Sequence, residues 1–427
     1  MNERQAAINI LLEINQQGAY NNIALRRTLA DHPEWQPHHK AFVTELVNGT
    51  LRNLILIDHI IDSFSRNPSS EMKPFIRELL RTAVYQIYRM DKVPNSAAVN
   101  EAVKLARANK FDDLSGFVNG ILRNIVRKQE IGGLKPWDSA IDDSVDQKAH
   151  YLSLRYSFPL WLAEALINWL GDGAEEFCAA SHVPPPVTIY ANPIKTTAGA
   201  LASDFDCSVS ELTENCLHLR RAKDLTATKA YKQGHFFVID EGAVLTALAT
   251  GAKPGQKIID LCAAPGGKSF VCAGMMENQG QIIACDIHTH KVQLMKKTSA
   301  RLGLNCISFK EADSSIVNPE WTKWADIVLL DVPCSGFGVI RKKPDIKYTK
   351  TMKDVRDLAV LQKKLLSVAA RYVKPKGVLV YSTCTITTEE NEDNLQWFLE
   401  NFPFKLDKLD VPPPKESGFF ISRLVRI

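Results

Sequence analysis

The chain has 427 residues, 45% of them hydrophobic and 23% charged, with a formal charge of +4. That length exceeds what one hydrophobic core usually serves, so two or three domains are expected, and the composition excludes a disordered or low-complexity protein. No apolar run reaches membrane-spanning length, and the small basic excess permits a nucleic-acid partner without requiring one.

The opening MNERQAAINILLEINQQ spaces charges through an apolar pattern and lacks a small-residue cleavage site, so a helix is expected there rather than a signal peptide. In FIRELLRTAVYQIYRM, Phe75, Leu79, Leu80, Ala83, Ile87 and Met90 form a stripe at helical spacing. Similar patterns over 4–15, 40–62, 96–108 and 113–127 predict an all-helical domain over 1–130. Its 17 Lys and Arg against 14 Asp and Glu leave any basic surface to arrangement. A linker is expected over 131–145, where KQEIGGLKPWDSAIDD interrupts the helices. Over 146–240 a helical stretch gives way at HVPPPVTIYANP to short mixed segments, which predicts a small α/β subdomain.

From 241 onward helix-like EGAVLTALATG precedes strand KIIDLC, a Gly-rich turn and helix GKSFVCAGMM. Strand QIIACD, helix THKVQLMKKTSARLG, short strand CISFK, strand DIVLLD, a helix near 352–373 and strand GVLVYST follow. Apolar strands alternating with helices predict a mostly parallel sheet covered on both faces over 241–427, with SGFFISRLVRI returning as a late strand.

Nine dispersed cysteines with no CxxC pair speak against structural zinc and against a disulfide framework, so no metal and a reducing cytoplasm are expected. DLCAAPGGKS follows its strand and opens a helix, where the backbone of Cys262, Ala263, Ala264, Pro265, Gly266, Gly267 and Lys268 can approach a ligand. It matches neither GxGxxG nor GxxxxGK[ST], which removes the main support for a dinucleotide or P-loop site. Asp286 ends the next strand and Asp313 follows the one after. Either alone could cap a loop; in order at successive strand ends they suit a ribose and the base of one adenosine-type ligand.

Two cysteines leave predicted parallel strands, in DVPCSG (Asp331, Cys334) and YSTCT (Cys384). Each alone could be a packing residue; a pair beside a nucleoside site points to chemistry. Carbon 5 of a pyrimidine becomes nucleophilic once a thiolate adds to carbon 6, and a second thiol can serve as a base. Arg341, Lys342, Lys343 and Lys347 in IRKKPDIKY suit RNA phosphates next to the reactive turn, although such a run in isolation would read as a solvated loop.

LCAAPGGKS, DVPCSGFGVIRKKPDIKY and YSTCTITTEENED, in this order, resemble the RNA cytosine-5 methyltransferases of the NOL1/NOP2/Sun family. The resemblance implies a Rossmann-like domain that uses S-adenosylmethionine, bound by 262–268, Asp286, Asp313 and Asp331. It also implies that Cys384 is the nucleophile, that Cys334 assists release, and that Asp331 contacts the target base. LLRTAVYQIYRMDKVPNSAAVNEAVKLA with GFVNGILRNI is similar to the helical NusB-type RNA-binding domain carried by bacterial small-subunit rRNA methyltransferases of this family. A cytosine of 16S rRNA, free or in an immature subunit, is then the expected substrate of a cytoplasmic monomer away from membranes. Transfer RNA as the substrate, and a non-catalytic ribosome-assembly factor, are the competing readings. Many relatives carry Gln and Ser where this chain has Ile239 and Ala243, and Arg where it has Ala191.

Overall fold

Apolar residues three and four apart become helices through most of the first 183 residues of the computed structural model, which describes residues 2–132, 145–220, 224–411 and 418–427. The helices are Glu3–Gln17, Asn21–Asp31, Pro37–Arg52, Leu54–Asp62, Pro74–Arg89, Asn95–Ala108 and Ser115–Glu130. The Asn2 side chain caps the first helix by accepting from the Gln5 amide at 2.8 Å, and Gly18 ends it at φ +69°. Of the expected stripe on Pro74–Arg89, Leu79, Leu80, Ala83 and Ile87 are buried, whereas Phe75 and Met90 are half-buried at its ends. This helix is packed nearly all round, so its charges must be paired. Arg81 makes a two-pronged contact with Asp58 at 2.6 and 2.7 Å and a third with the buried Glu78 at 2.6 Å.

The chain divides into two compact units, 1–183 with 340–349, and 184–339 with 350–427. The divisions expected at 130 and 240 fall inside these two units. Helices Val145–Tyr156, Leu160–Leu170 and Ala174–Ala180 group with the N-terminal helices, and the small sheet groups with the larger one. Residues 133–144 of the expected linker lie outside the described residues.

In the second unit, β1 (Val187–Ala191), β2 (Cys207–Val209), β3 (Cys216–Leu219) and β4 (Phe236–Val238) form an antiparallel sheet in the order β2-β3-β1-β4. Asn192, just past β1, donates to the carbonyls of Gly234 and Leu302 at 2.9 and 2.8 Å. Ala191 and Ala243 are buried, and Ile239 fills the space beside Gly267, so the three departures from the relatives' pattern are apolar packing positions here.

The larger sheet holds β5 (Lys257–Asp260), β6 (Gln281–Asp286), β7 (Ile307–Glu311), β8 (Ala325–Asp331), β9 (Val373–Thr383), β10 (Phe404–Asp410) and β11 (Phe420–Arg426), in the order β10-β11-β9-β8-β5-β6-β7. Strands β5 to β9 are parallel; β10 and β11 return antiparallel. Side-chain alternation decides the layers. Ile258, Ile282, Leu329 and Val380 face helices Glu241–Ala249, Gly267–Met275 and Thr289–Leu302. Ile259, Val328, Leu379 and Tyr381 face Met352–Tyr372 and Glu392–Asn401. The chain steps outward from β5 to β7 and then restarts on the other side at β8, which opens a crevice at the carboxyl ends of β5 and β8.

Candidate active site

Every strand from β5 to β8 delivers an acidic residue at or just beyond its carboxyl end: Asp260, Asp286, Asp313 and Asp331. A cavity of about 470 Å³ opens there, lined by Cys262, Ala264, Asp286, Asp313 and Asp331, with Ile287, Leu361 and Leu365 as apolar walls. His288, Lys291 and Ser315 line it too and carry no recognisable signal in the sequence. Asp286 accepts from the His288 amide at 2.9 Å, and Asp313 accepts from the Ser315 amide at 2.9 Å; the Ser315 hydroxyl first, and then its amide, hold the Asp313 carboxyl below its ordinary range.

The rest of the Gly-rich turn supports this wall. The Ala263 amide bonds to the Cys285 carbonyl at 2.8 Å, and Gly266 turns the chain at φ +103°, where a Cβ would run into the Phe270 ring. Gly267 opens the helix, and Pro265 is exposed. Ala263, Pro265, Gly266, Gly267 and Lys268 do not border the cavity itself.

Lys268 reaches across to Asp331, 2.5 Å from Nζ to Oδ2, while Ser382 at the end of β9 donates to Oδ1 at 2.7 Å. Burial favours the neutral amine of Lys268, but the adjoining carboxylate of Asp331 outweighs it and, with Asp260 and Cys384, raises the amine above its ordinary range. Asp260 lies beneath, 1% exposed, with Oδ2 accepting from Ser269 at 2.6 Å and Oδ1 unpartnered. Burial pushes its carboxyl up to about 7, against the Ser269 hydroxyl and Lys268.

Asp331 pairs with Ser382 across the parallel ladder, so the turns after β8 and β9 start side by side. The Gly338 amide bonds to the Cys384 carbonyl at 3.0 Å, and the Cys384 amide points at the Cys334 sulfur at 3.3 Å. The two sulfurs are 3.3 Å apart and both residues are half-buried. The hydrogen bond with Cys384, then burial, then the charges of Cys384, Glu390 and Asp331 raise the Cys334 thiol well above an ordinary cysteine. Burial likewise raises Cys262, next to the cavity. Among the described residues no group of His, Cys, Asp or Glu could hold a metal ion, and no helix is long and apolar enough to cross a membrane.

The basic run beyond Cys334 is used differently from expectation. Residues 340–349 belong to the helical unit. Lys347 is fully buried, its ammonium donating to the carbonyls of Arg52 and Tyr156 at 2.9 and 3.1 Å and lying 4.5 Å from the Phe158 ring. Arg52 and Tyr156 end their helices, so the cation meets two helix carboxyl ends. Asp345 accepts from the Asn21 amide at 3.3 Å, at the start of Asn21–Asp31, whose own N-cap residue offers no side-chain bond. Arg341 donates to the Val183 carbonyl at 3.1 Å, and Tyr348 to that of Ser157 at 2.9 Å. Lys347 is thus corrected from an RNA contact to a buried helix cap. Lys342 and Lys343 are exposed.

Comparison with known proteins agrees with this geometry. Residues 247–424 match the family described as 16S rRNA methyltransferase RsmB/F, and residues 1–127 match the NusB family. The probable ribosomal RNA small subunit methyltransferase B of Bacillus subtilis is 35% identical over 94% of this chain and 88% of its own length. The protein with the same description from Synechocystis is 35% identical over 93% and 89%. The crystal structure of PH0851 superposes with a TM-score of 0.79 at 25% identity, covering 99% of each chain. A NusB-type helical region, a Rossmann-like sheet and a paired-cysteine crevice occur in one chain in this order, and the protein belongs to the 16S rRNA methyltransferase RsmB/F family.

Proposed function

We propose that the protein methylates carbon 5 of a specific cytosine in 16S rRNA through a covalent bond between Cys384 and the base. The observation that carries this reading is the 3.3 Å approach of two thiols at adjacent strand ends beside the cavity. S-adenosylmethionine is the methyl donor, supplying an electrophilic methyl group when bound. The cavity suits it: Asp286 and Asp313 can accept from ribose hydroxyls and an amine, and Ile287, Leu361 and Leu365 can cover a flat ring.

Cys384 attacks as the thiolate, its sulfur bonding to carbon 6 while the ring π electrons move to carbon 5. Asp331 is held by Lys268 and Ser382, yet a carboxylate has lone pairs left to accept from the exocyclic amine of the base. Once the Cys384 sulfur is bonded to carbon, the largest influence keeping the proton on Cys334 is gone. Cys334 then releases its proton to water and takes the proton from methylated carbon 5. The electrons of that C–H bond restore the ring double bond and expel the Cys384 thiolate, so each turnover yields one proton. The target nucleotide must leave its stack for both ring carbons to be reached. Arg341, Lys342 and Lys343 are proposed to lie along the RNA backbone.

Purified protein given labelled S-adenosylmethionine and unmodified small-subunit rRNA is expected to form 5-methylcytosine. Cys384→Ala should abolish product, and Cys334→Ala should accumulate a protein–RNA adduct that survives denaturing electrophoresis. Full turnover by Cys384→Ala would sink the mechanism.

A further inference from the structure

The turns carrying the two thiols are joined by a buried polar clamp. Glu390, six residues past Cys384, is 0% exposed and accepts three hydrogen bonds. They come from the Ser335 amide at 3.0 Å and Gln362 Nε2 at 2.8 Å, both on Oε2, and from the Thr387 hydroxyl at 3.0 Å on Oε1. A carboxyl that only accepts has the bonding pattern of a carboxylate, and such a buried charge persists only where donors surround it. Gln362 also donates to the Pro333 carbonyl at 3.0 Å, so the residues on both sides of Cys334 are tied to this one centre. The orientation of Gln362 is set in turn by Asn394, which donates to its Oε1 at 2.8 Å. A second tie joins the hydroxyls of Ser335 and Thr385 at 2.6 Å.

We propose that Glu390 is a positioning residue for the thiol pair: its carboxylate fastens the Cys334 turn to the turn after Cys384 and keeps the resting proton on Cys334, leaving Cys384 as the nucleophile. The assignment of roles rests on the thiol chemistry proposed above. Two equivalent thiols in contact give no preference for which of them ionises first, and the protein needs an asymmetry to choose between them. The charged and titratable groups facing Cys334 are Cys384 just past β9, Tyr381 on β9, Glu390 beyond Cys384, Asp331 at the end of β8, and Lys268 paired with Asp331. Among the carboxylates, Glu390 bonds directly to the amide following Cys334, whereas Asp331 is already compensated by the Lys268 ammonium.

The test reads the free, full-length protein, without RNA. The rate of iodoacetamide alkylation at Cys334 is followed by peptide mass spectrometry against pH for wild type, Glu390→Gln, Glu390→Asp and Gln362→Leu. Removing the charge in Glu390→Gln is expected to lower the alkylation midpoint of Cys334 by about 1 pH unit. Glu390→Asp keeps the charge and should stay within about 0.3 unit of wild type. Gln362→Leu removes a donor but no charge. Its midpoint should equal or exceed that of wild type, while kcat for methylation falls about tenfold with KM for S-adenosylmethionine unchanged, as expected when an interaction acts only on the chemical step. An unmoved midpoint in Glu390→Gln, or an equal drop in Glu390→Asp, overturns the proposal. If Glu390→Gln fails to fold by circular dichroism, Gln362→Leu decides: a lowered midpoint or an unchanged kcat overturns it. Alkylation needs no substrate, so a failure of rRNA methylation with the expected midpoints would count against the RNA reading and not against Glu390.

Discussion

At the scale of single residues, the floor of the site is Asp260, which has one oxygen bonded to Ser269 and the other without a partner among the described residues. Its buried carboxyl titrates near 7 rather than the ordinary 3.8. A group whose pKa is raised by folding stabilises fully below its unfolded value, and that contribution is lost as pH climbs through the folded value. Wild type is therefore expected to lose stability relative to Asp260→Asn between pH 4 and 8, by roughly 2–4 kcal/mol. Parallel melting curves of the two proteins across that range would overturn this account of Asp260. The strand-end position of Asp260 is legible in KIIDLC. Its isolation is not, since burial depends on Ser269, Lys268 and the β8 carboxylate gathering over it. The same holds for Lys268, whose partner Asp331 lies 63 residues away.

Among the elements, residues 340–349 depart furthest from their appearance in the sequence. IRKKPDIKY has the composition of a phosphate-binding loop, yet Asp345 caps a helix start and Lys347 closes two helix ends. Each charge is placed at the helix end whose dipole it complements. Each ion pair with a phosphate adds about 0.7–0.9 to the slope of log affinity against log salt. Lys343→Ala should therefore reduce that slope by about 1 in rRNA-binding titrations, while Lys347→Met should leave it unchanged. A reduced slope for Lys347→Met would mean that its ammonium reaches RNA after all. The edge strand β10 also went unread, since FKLDKLD alternates only over its first four residues and the register shifts between Leu406 and Lys408. Its length is charged on both faces and mostly exposed, so it lacks the apolar run by which the central strands declare themselves.

For the whole molecule, the unit boundaries matter to any attempt at dissection. A cut at residue 130 follows the end of the helical pattern but removes Asn21 and Arg52, the partners of Asp345, Lys347 and the Arg341 carbonyl. Deleting 1–130 is expected to raise amide exchange across 340–349 by at least about tenfold while β5 to β9 stay protected. Continued protection of 340–349 in the truncated protein would show that the remaining helices suffice to hold it.

Local patterns were enough to mark the helical first region, the mostly parallel sheet, the Gly-rich turn after β5 and the two cysteine-bearing turns at strand ends. Strand ends, Gly-rich turns and helical stripes are set by neighbours a few residues apart, and so they are written in short stretches. Only the tertiary structure decided the 3.3 Å between Cys334 and Cys384, the Glu390 clamp that joins their turns, and the docking of 340–349 on the helical unit. A lysine has the same formula whether it faces a phosphate or a helix carboxyl end. A glutamate likewise has the same formula in a solvated turn and beneath a thiol. What separates these cases is burial and the partners brought from distant parts of the chain, and folding alone supplies both.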